Sequence, residues 1–375
     1  MKRILIANWE STSEGLIGGC EIVADNLQKV FKEAGYKVEM VTFKSAMKAM
    51  NMPIPVGYHR YAIIDRAVII GMYLEQYEEM LGVDMVIGFD GCLSFYKPKE
   101  AYIISYLNNP YKDISEWVWD RVNKNEPQAV ANYLEFGNVY PMLQERDLEI
   151  ADVIVTPSKY MADYYRRLAK DSLLTRDPEI IPHGIDTDLF KPMDKSKMRE
   201  KHLNDRANTL TRLDHYKAIG VWNGGFHPVK NWDIMAELIR KHQDIFWIVI
   251  MKHPGVSEPR LKNVKLFHNV PYETVPELFN CADFYISVSQ FESFGLCGIE
   301  AMACNIPIIS TRTGMWLDWT ENKKIGCFPR TTKIEDISRS IKEVIDNRGD
   351  YIPRETIFDY GLTLEVWKKK WINLI

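Results

Sequence analysis

The chain has 375 residues, of which 46% are hydrophobic and 26% charged, the composition of a globular protein rather than a disordered or collagen-like one. A formal net charge of −4 excludes an electrostatic case for nucleic acid or an anionic membrane as the main partner. No apolar run reaches the ~18 residues of a membrane span. The candidate at residues 62–74 is broken by Asp65 and Arg66. The length exceeds what one core fills, so two domains are expected. The N-terminal run Ile4-Leu5-Ile6-Ala7 is too short for a signal peptide and predicts a strand in a cytoplasmic protein. The six cysteines form no CxxC pair and are expected as buried free thiols.

In chain order, residues 3–8 predict a central strand, followed by Gly15-Leu16-Ile17-Gly18-Gly19. Ile22, Val23, Leu27, Val30 and Phe31 then recur at helical spacing over residues 21–34, with Gly35 as the stop. Residues 37–43 predict a second strand, completing the opening unit of a doubly wound sheet. The glycine loop lets the backbone approach a phosphate, but it is not GxGxxG, and Glu39 on the second strand supports a dinucleotide only weakly. By its residues alone it reads equally as a nucleotide loop or a tight turn. Residues 40–57 read as an irregular surface loop ending in Pro53 and Pro55, with a mobile acceptor loop as the sharper alternative.

Residues 61–81 predict a helix, and 84–89 and 101–107 buried strands. Asn108-Asn109-Pro110-Tyr111 stands at the C-terminal end of the second of these, where open α/β sheets place ligands. An asparagine there either hydrogen-bonds a hydroxyl or serves the turn before proline. Trp117, Trp119, Tyr133 and Phe136 are expected as core aromatics rather than sugar platforms. Residues 151–158 predict a strand closing on Ser158, the N-cap of a helix running to residue 168.

Asp186-Thr187-Asp188 has the form of a metal-binding DxD, and His183 beside it is expected to be packed. The charged residues 195–217 read as a solvated helix and linker. A strand at 218–222 runs into Asn223-Gly224-Gly225-Phe226-His227-Pro228-Val229-Lys230, whose glycines allow close backbone approach. Lys230 opens the helix predicted at 232–241, and a diphosphate leaving group needs such a cation. Strands at 246–251 and 264–267 precede Asn269-Val270-Pro271 and a short helix at 273–280.

The stretch Ser289-Gln290-Phe291-Glu292-Ser293-Phe294-Gly295-Leu296 then lies between apolar runs at 284–288 and 307–310. Gly295 permits a sharp turn, and residues 296–304 are helix-compatible. The first turn of that helix offers unpaired N–H groups and a positive dipole end, which suit a diphosphate. Glu292 lies at the mouth and Glu300 about 7 Å further along the axis, so the two carboxylates suit opposite ends of one elongated ligand. Residues 334–345 predict an amphipathic helix. In residues 363–375, Leu364, Trp367, Trp371 and Leu374 form an apolar stripe opposite Lys368, Lys369 and Lys370; a membrane-skimming role is the sharper alternative to packing.

The E-x7-E spacing of Glu292 and Glu300, with Phe294-Gly295-Leu296 and Glu300-Ala301-Met302-Ala303, resembles the donor-site signature of the retaining glycosyltransferases of family 4. The glycine loop, the Ala151-Asp152-Val153 strand, the segment around His183 and the Lys230 loop follow in the order of that family. The resemblance implies a GT-B fold: α/β, with two Rossmann-like doubly wound domains facing each other across a cleft. Residues 1–190 would be the acceptor-side domain, 191–360 the donor domain and 361–375 a terminal helix crossing back. It implies retaining, metal-independent transfer of a hexose-type sugar from a nucleoside-diphosphate sugar to a hydroxyl of a glycan, lipid or small molecule. No resident cofactor is implied, and the donor and the acceptor are the partners, with no nucleic acid and only an unsupported peripheral membrane contact.

By the same resemblance, Glu292 approaches the donor sugar, the amides of Phe294, Gly295 and Leu296 hold sugar and phosphate, and Glu300 binds the ribose. Lys230, with Gly224 and Gly225, stabilises the diphosphate, the Val270 segment seats the base, and Gly18 and Gly19 face donor phosphate or acceptor. Two positions depart from the pattern. Asn108 or Asn109 stands where many relatives carry a histidine, and Gly225 where an arginine is expected, with His227, Lys252 or Arg312 as candidates to compensate. These departures keep a non-catalytic sugar-nucleotide binder in view, beside a GT-B epimerase and an NAD enzyme reading Gly15 to Gly19. Walker A, G-x-S-x-G and H-E-x-x-H motifs are absent from the sequence.

Overall fold

The computed structural model describes residues 2–14, 18–54, 63–123, 139–170, 176–203, 213–224, 228–251 and 261–375. It divides into two compact units, Met1–Pro182 with Lys368–Ile375, and His183–Trp367.

The first unit is built on the strands β1 (Arg3–Ala7), β2 (Lys37–Val41), β3 (Met85–Phe89), β4 (Tyr102–Tyr106), β5 (Val153–Thr156) and β6 (Glu179–Ile180). They pair in the order β2-β1-β3-β4-β5-β6, all parallel. Ile4 to Ala7 and the whole of β3 are buried, as expected of parallel strands covered on both faces. Consecutive strands lie on opposite sides of β1, so the chain reverses direction across the sheet there, and the C-terminal ends of β1, β3 and β4 bring Asn8, Asp90 and Asn108 to one rim. The helix Gly19–Glu33 buries Val23, Ala24, Leu27, Val30 and Phe31 and gives way to Gly35 at φ +88°. Ser158 caps the helix Lys159–Ala169, its hydroxyl accepting the Met161 amide at 3.2 Å.

Two expectations fail in this unit. Residues 40–57 are not wholly irregular: β2 stops at Val41 and a helix spans Phe43–Ala49. A reciprocal capping box starts it, Thr42 Oγ1 accepting the Ser45 amide and Ser45 Oγ the Thr42 amide, while Phe43, Ala46 and Met47 are buried. Trp119, on the helix Tyr111–Asn123, is 41% exposed, and the Arg121 guanidinium lies over the Trp117 ring at 4.7 Å, so neither is a core residue of the kind expected. Tyr133 and Phe136 lie outside the described residues.

The second unit repeats the architecture with β7 (Ala218–Asn223), β8 (Ile245–Met251), β9 (Val264–His268), β10 (Phe284–Ser287), β11 (Ile308–Ser310) and β12 (Gly326–Cys327). The order is β12-β11-β10-β7-β8-β9, again parallel. On β8, Phe246, Ile248 and Ile250 enter one core while Ile245, Trp247, Val249 and Met251 enter the core on the opposite face. An unbroken apolar run is therefore needed to fill both layers.

The expected boundary after residue 190 falls instead after Pro182. Ile185 and Thr363 form a parallel bridge, Phe190 is fully buried in the second core, and Arg354 donates to the carbonyls of Phe190 and Thr187. The segment from His183 onward is thus tied to the second unit by its own backbone. The charged stretch after it holds the expected helix, Lys195–Leu203, but docked on the second unit rather than serving as a linker. The helix Lys195–Leu203 is clamped by Asp283, which takes Lys195 Nζ at 3.0 Å and Arg199 Nη2 at 2.9 Å, and Leu203 is buried. Residues 204–212 of that stretch lie outside the described residues.

The C-terminal helix is Leu364–Leu374, and its assignment to the first unit begins at Lys368 rather than 361. Trp371 is fully buried there, its ring centroid 5.8 Å from Tyr106 and 6.3 Å from Phe31, and Lys368 pairs with Glu33 at 2.8 Å. Trp367 is buried as well, so the two tryptophans of the stripe pack inside the protein, while Leu364 and Leu374 are half-buried. Among the described residues no helix is long and apolar enough to cross a membrane.

Candidate functional site

In the second unit, β10 ends at Ser287 and the chain turns through Gly295, at φ +94°, into the helix Leu296–Ala303. A Cβ at Gly295 would stand 2.4 Å from Nε1 of Trp316, and one at Gly298 2.5 Å from Cζ2 of the same ring. The indole therefore forms a wall against which only glycines allow the helix to start. Opposite it, Gly314 at φ +60° leaves room for the Glu292 backbone, whose carbonyl a Cβ would approach to 2.7 Å. The Glu292 amide donates to Thr313 Oγ1 at 3.1 Å.

Lys230 closes a short 3-10 turn before the helix Trp232–Lys241, and its ammonium meets Glu292 Oε1 at 2.6 Å. This turn is fixed to the same loop by backbone, since the Gln290 amide donates to the Val229 carbonyl at 2.7 Å, and by the Asn231 side chain donating to the Val288 carbonyl at 2.8 Å. Burial alone would pull the Lys230 ammonium down, but the Glu292 carboxylate outweighs it and holds the group above its ordinary value. Lys230 is thus a fixed cation beside the positive end of the Leu296 helix.

Glu300 is 2% exposed, and burial pushes its carboxyl up to about 8 against the opposing pull of a 2.6 Å hydrogen bond from the Tyr272 hydroxyl. The same burial and the neighbouring Glu300 carboxylate raise the Tyr272 phenol. Tyr272 follows Val270 by two residues, so the Val270 segment reaches Glu300 through this tyrosine. Phe294 is buried, and the His183 ring stands edge-on to it at 4.8 Å. Burial lowers the His183 imidazole to about 3, so this histidine is neutral and packs as expected. Gly224 closes β7 with its amide on the Ile250 carbonyl, and Gly225, His227 and Lys252 lie outside the described residues. Arg312 donates to the Phe328 carbonyl, a commitment to its own loop. Asp186 Oδ1 accepts the amides of Asp188 and Leu189 at 3.0 Å, so the DxD-like triplet is a turn in which the first carboxylate serves its own backbone.

The remaining candidates, Gly18, Gly19 and Asn108, belong to the first unit. There the organising group is Asp90, at φ +48° on the rim of β3. Its Oδ1 accepts the amides of Asn108 at 2.8 Å and Asn109 at 3.0 Å and the Gln144 Nε2 at 3.0 Å, and its Oδ2 accepts Asn109 Nδ2 at 2.6 Å. Burial raises its carboxyl to about 6 against these four donors. Of the two asparagines, Asn109 lines a cavity of about 340 Å³ while Asn108 turns its Nδ2 onto Cys20 Sγ at 2.7 Å. Gly18 is the extended N-cap of the helix Gly19–Glu33, and Gly19 lines the same cavity. Glu39, the weak pointer to a dinucleotide, accepts the Tyr73 hydroxyl at 2.9 Å.

Sequence reasoning missed Tyr272, Trp316 and Asp90. An Asp-Gly pair closing an apolar strand is itself a signal for Asp90, because ligands of open α/β sheets gather at strand ends. Tyr272 and Trp316 have no such local mark.

Two parallel doubly wound sheets of this order make the GT-B fold, and in the second the glycine-hinged helix carries Glu300, with Glu292 and Lys230 paired beside its start. Comparison with known proteins agrees: residues 258–360 match the family model "Glycosyl transferases group 1". The GPI3 subunit of phosphatidylinositol N-acetylglucosaminyltransferase from Saccharomyces cerevisiae is 26% identical over 179 residues, 44% of this chain but only 37% of that protein. D-inositol 3-phosphate glycosyltransferase of Segniliparus rotundus is 27% identical over 338 residues, 82% of this chain and 72% of that protein. Among solved structures, sucrose-phosphate synthase from Thermosynechococcus elongatus superposes with a TM-score of 0.76 at 16% identity, over 100% of this chain and 98% of that one. Anabaena Alr3699/HepE in complex with UDP and glucose superposes at 0.70 with 14% identity, over 100% and 99%.

Proposed function

We propose that the chain is a retaining glycosyltransferase that moves a hexose-type sugar from a nucleoside-diphosphate sugar to an acceptor hydroxyl, without a bound metal or resident cofactor. The observation that carries this reading is the meeting of Lys230 and Glu292 at 2.6 Å beside the Gly295 turn, with Glu300 further along the same helix. In this scheme the diphosphate sits at the helix mouth, where first-turn amides and the Lys230 ammonium take up the charge that grows as the sugar–phosphate bond breaks. Glu292, displaced from Lys230 by the phosphate, turns to the hydroxyls of the donor sugar. Glu300, with Tyr272 as its hydrogen-bonding companion, takes the ribose. The bond from the sugar's anomeric carbon to the phosphate oxygen breaks while the acceptor oxygen bonds to that carbon on the same face. Asparagine cannot take the acceptor's proton, so the departing phosphate oxygen receives it. The structure of Anabaena Alr3699/HepE is of a complex with UDP and glucose, which supports a nucleotide-sugar donor of this kind.

A second reading, a non-catalytic sugar-nucleotide binder, is favoured by one observation: the Asn108 amide is bound to Cys20 where a histidine is usual in the resembling family. The two separate in a turnover assay with radiolabelled UDP-, GDP- and ADP-sugars. The transferase reading expects transfer or slow donor hydrolysis, reduced about 100-fold or more in Lys230→Ala. No turnover with any donor, together with retained nucleotide binding, supports the binder.

A further inference from the structure

The first unit holds a cavity of about 340 Å³, at the small end of the roughly 300–1,000 Å³ that ligand pockets span. It therefore has room for one ring rather than an oligosaccharide. One side is aromatic: Tyr111 and Tyr140 stack at 4.4 Å, and Trp9 stands edge-on to Tyr140 at 5.8 Å. Aromatic faces suit the C–H faces of a sugar or cyclitol, while the ring hydroxyls need polar edges. Those edges are present in Asn109 and in Asn8, a buried residue whose Oδ1 has no hydrogen-bond donor among the described residues. An acceptor atom buried without a donor is costly, and a ligand hydroxyl would relieve it.

The charges on the wall go further. Glu10, Glu21 and Asp90 contribute three carboxylates and Arg66 one guanidinium, so the described lining carries two negative charges in excess. The cation is moreover committed, with Arg66 Nη1 on Glu10 Oε1 at 3.3 Å. A phosphate entering here would meet an excess of like charge in the described lining, whose one guanidinium is already paired with a carboxylate. We propose that this cavity binds the ring of a neutral polyhydroxylated compound, a sugar or cyclitol without a phosphate group. Naming that ring as the acceptor rests on the transferase reading above; its binding does not. This sets the chain apart from the relative whose name specifies an inositol 3-phosphate.

The test titrates the full chain, without nucleotide, with glucose, mannose and myo-inositol and with glucose 6-phosphate, mannose 6-phosphate and inositol 3-phosphate, reading binding by saturation-transfer NMR and calorimetry. At least one neutral ring binds, at least tenfold more tightly than its phosphate ester. Cys20→Phe, which fills the cavity from the first turn of the helix Gly19–Glu33, abolishes that binding. Glu21→Lys, a substitution in the same first turn, narrows the gap between ring and ester at least threefold. An ester that binds as tightly as its neutral ring, binding that survives in a folded Cys20→Phe protein, or no binding by any of the six compounds overturns the proposal. Because no nucleotide is present, failure of the transferase reading leaves this result untouched.

Discussion

At Glu300, burial raises the carboxyl from its ordinary 4.5 to about 8. Between those values the unfolded chain releases this proton while the folded chain keeps it, so the contribution of Glu300 is full below pH 4.5 and is lost as pH rises towards 8. Glu300→Gln keeps an oxygen for the Tyr272 hydroxyl and removes the titration. Its unfolding temperature should match wild type near pH 4.5 and exceed it increasingly up to pH 8, where the gain is about 1–3 kcal/mol. A constant difference across that range in thermal melts would show that the carboxyl does not titrate as described. Gly295 is the other residue on which the site turns. A Cβ there meets the Trp316 indole and needs a left-handed backbone, so Gly295→Ala should cost about 2–4 kcal/mol in denaturant unfolding. A variant as stable as wild type contradicts the close approach. Glu292, Gly295 and Glu300 were legible because one turn and one helix carry them. The partners that set their chemistry, Tyr272 and Trp316, come from neighbouring loops, and no local periodicity marks a contact made across the fold.

Among elements, the helix Lys195–Leu203 shows how a charged run misleads. Its lysine and arginine look solvated until Asp283 is seen, and that residue lies 88 positions from Lys195. Burial works to raise the Asp283 carboxyl, but Lys195, Arg199 and the Ile219 amide outweigh it and hold the group below the usual carboxylate range. The stabilisation is therefore complete above the ordinary value of 3.8 and is lost as pH falls below it. Both cations are partly exposed, so Asp283→Asn should cost about 1–3 kcal/mol at pH 7, less than a fully buried pair. In urea unfolding the gap from wild type should narrow as pH falls below 3.8; a gap of the same size at pH 7 and pH 3 would contradict the ion-pair account. The helix Phe43–Ala49 was missed for a different reason. Its capping box carries serine in place of the usual glutamate or glutamine, and the run is too short for helical spacing to stand out. The strands were legible because each is a short apolar run, and β8 fills cores on both faces.

For the molecule as a whole, the first doubly wound sheet followed from the alternation of apolar runs with a helical stretch and the second from the family resemblance, while the limits of the units did not follow. The segment around Ile185 and Phe190 carries turn-forming residues and resembles a linker, yet its backbone pairs with Thr363 and its phenylalanine fills the second core. The C-terminal helix likewise owes its place to Trp371, packed on Phe31 and Tyr106 of the first unit. Trp371→Ala should cost about 3–5 kcal/mol, with loss of hydrogen-exchange protection in the helix Gly19–Glu33 before that in the helix Leu296–Ala303. Equal loss in both, or none, would contradict this assignment.

The central claim of the proposed function is that a nucleoside diphosphate is gripped at the Leu296 helix, its diphosphate at the mouth by Lys230 and its ribose by Glu300. Calorimetric titration of UDP, GDP and ADP into wild type, Lys230→Ala and Glu300→Ala tests it most directly. At least one nucleotide should bind wild type and lose tenfold or more in affinity, about 1.4 kcal/mol or more, in each variant. Unchanged affinity in both folded variants would contradict the account.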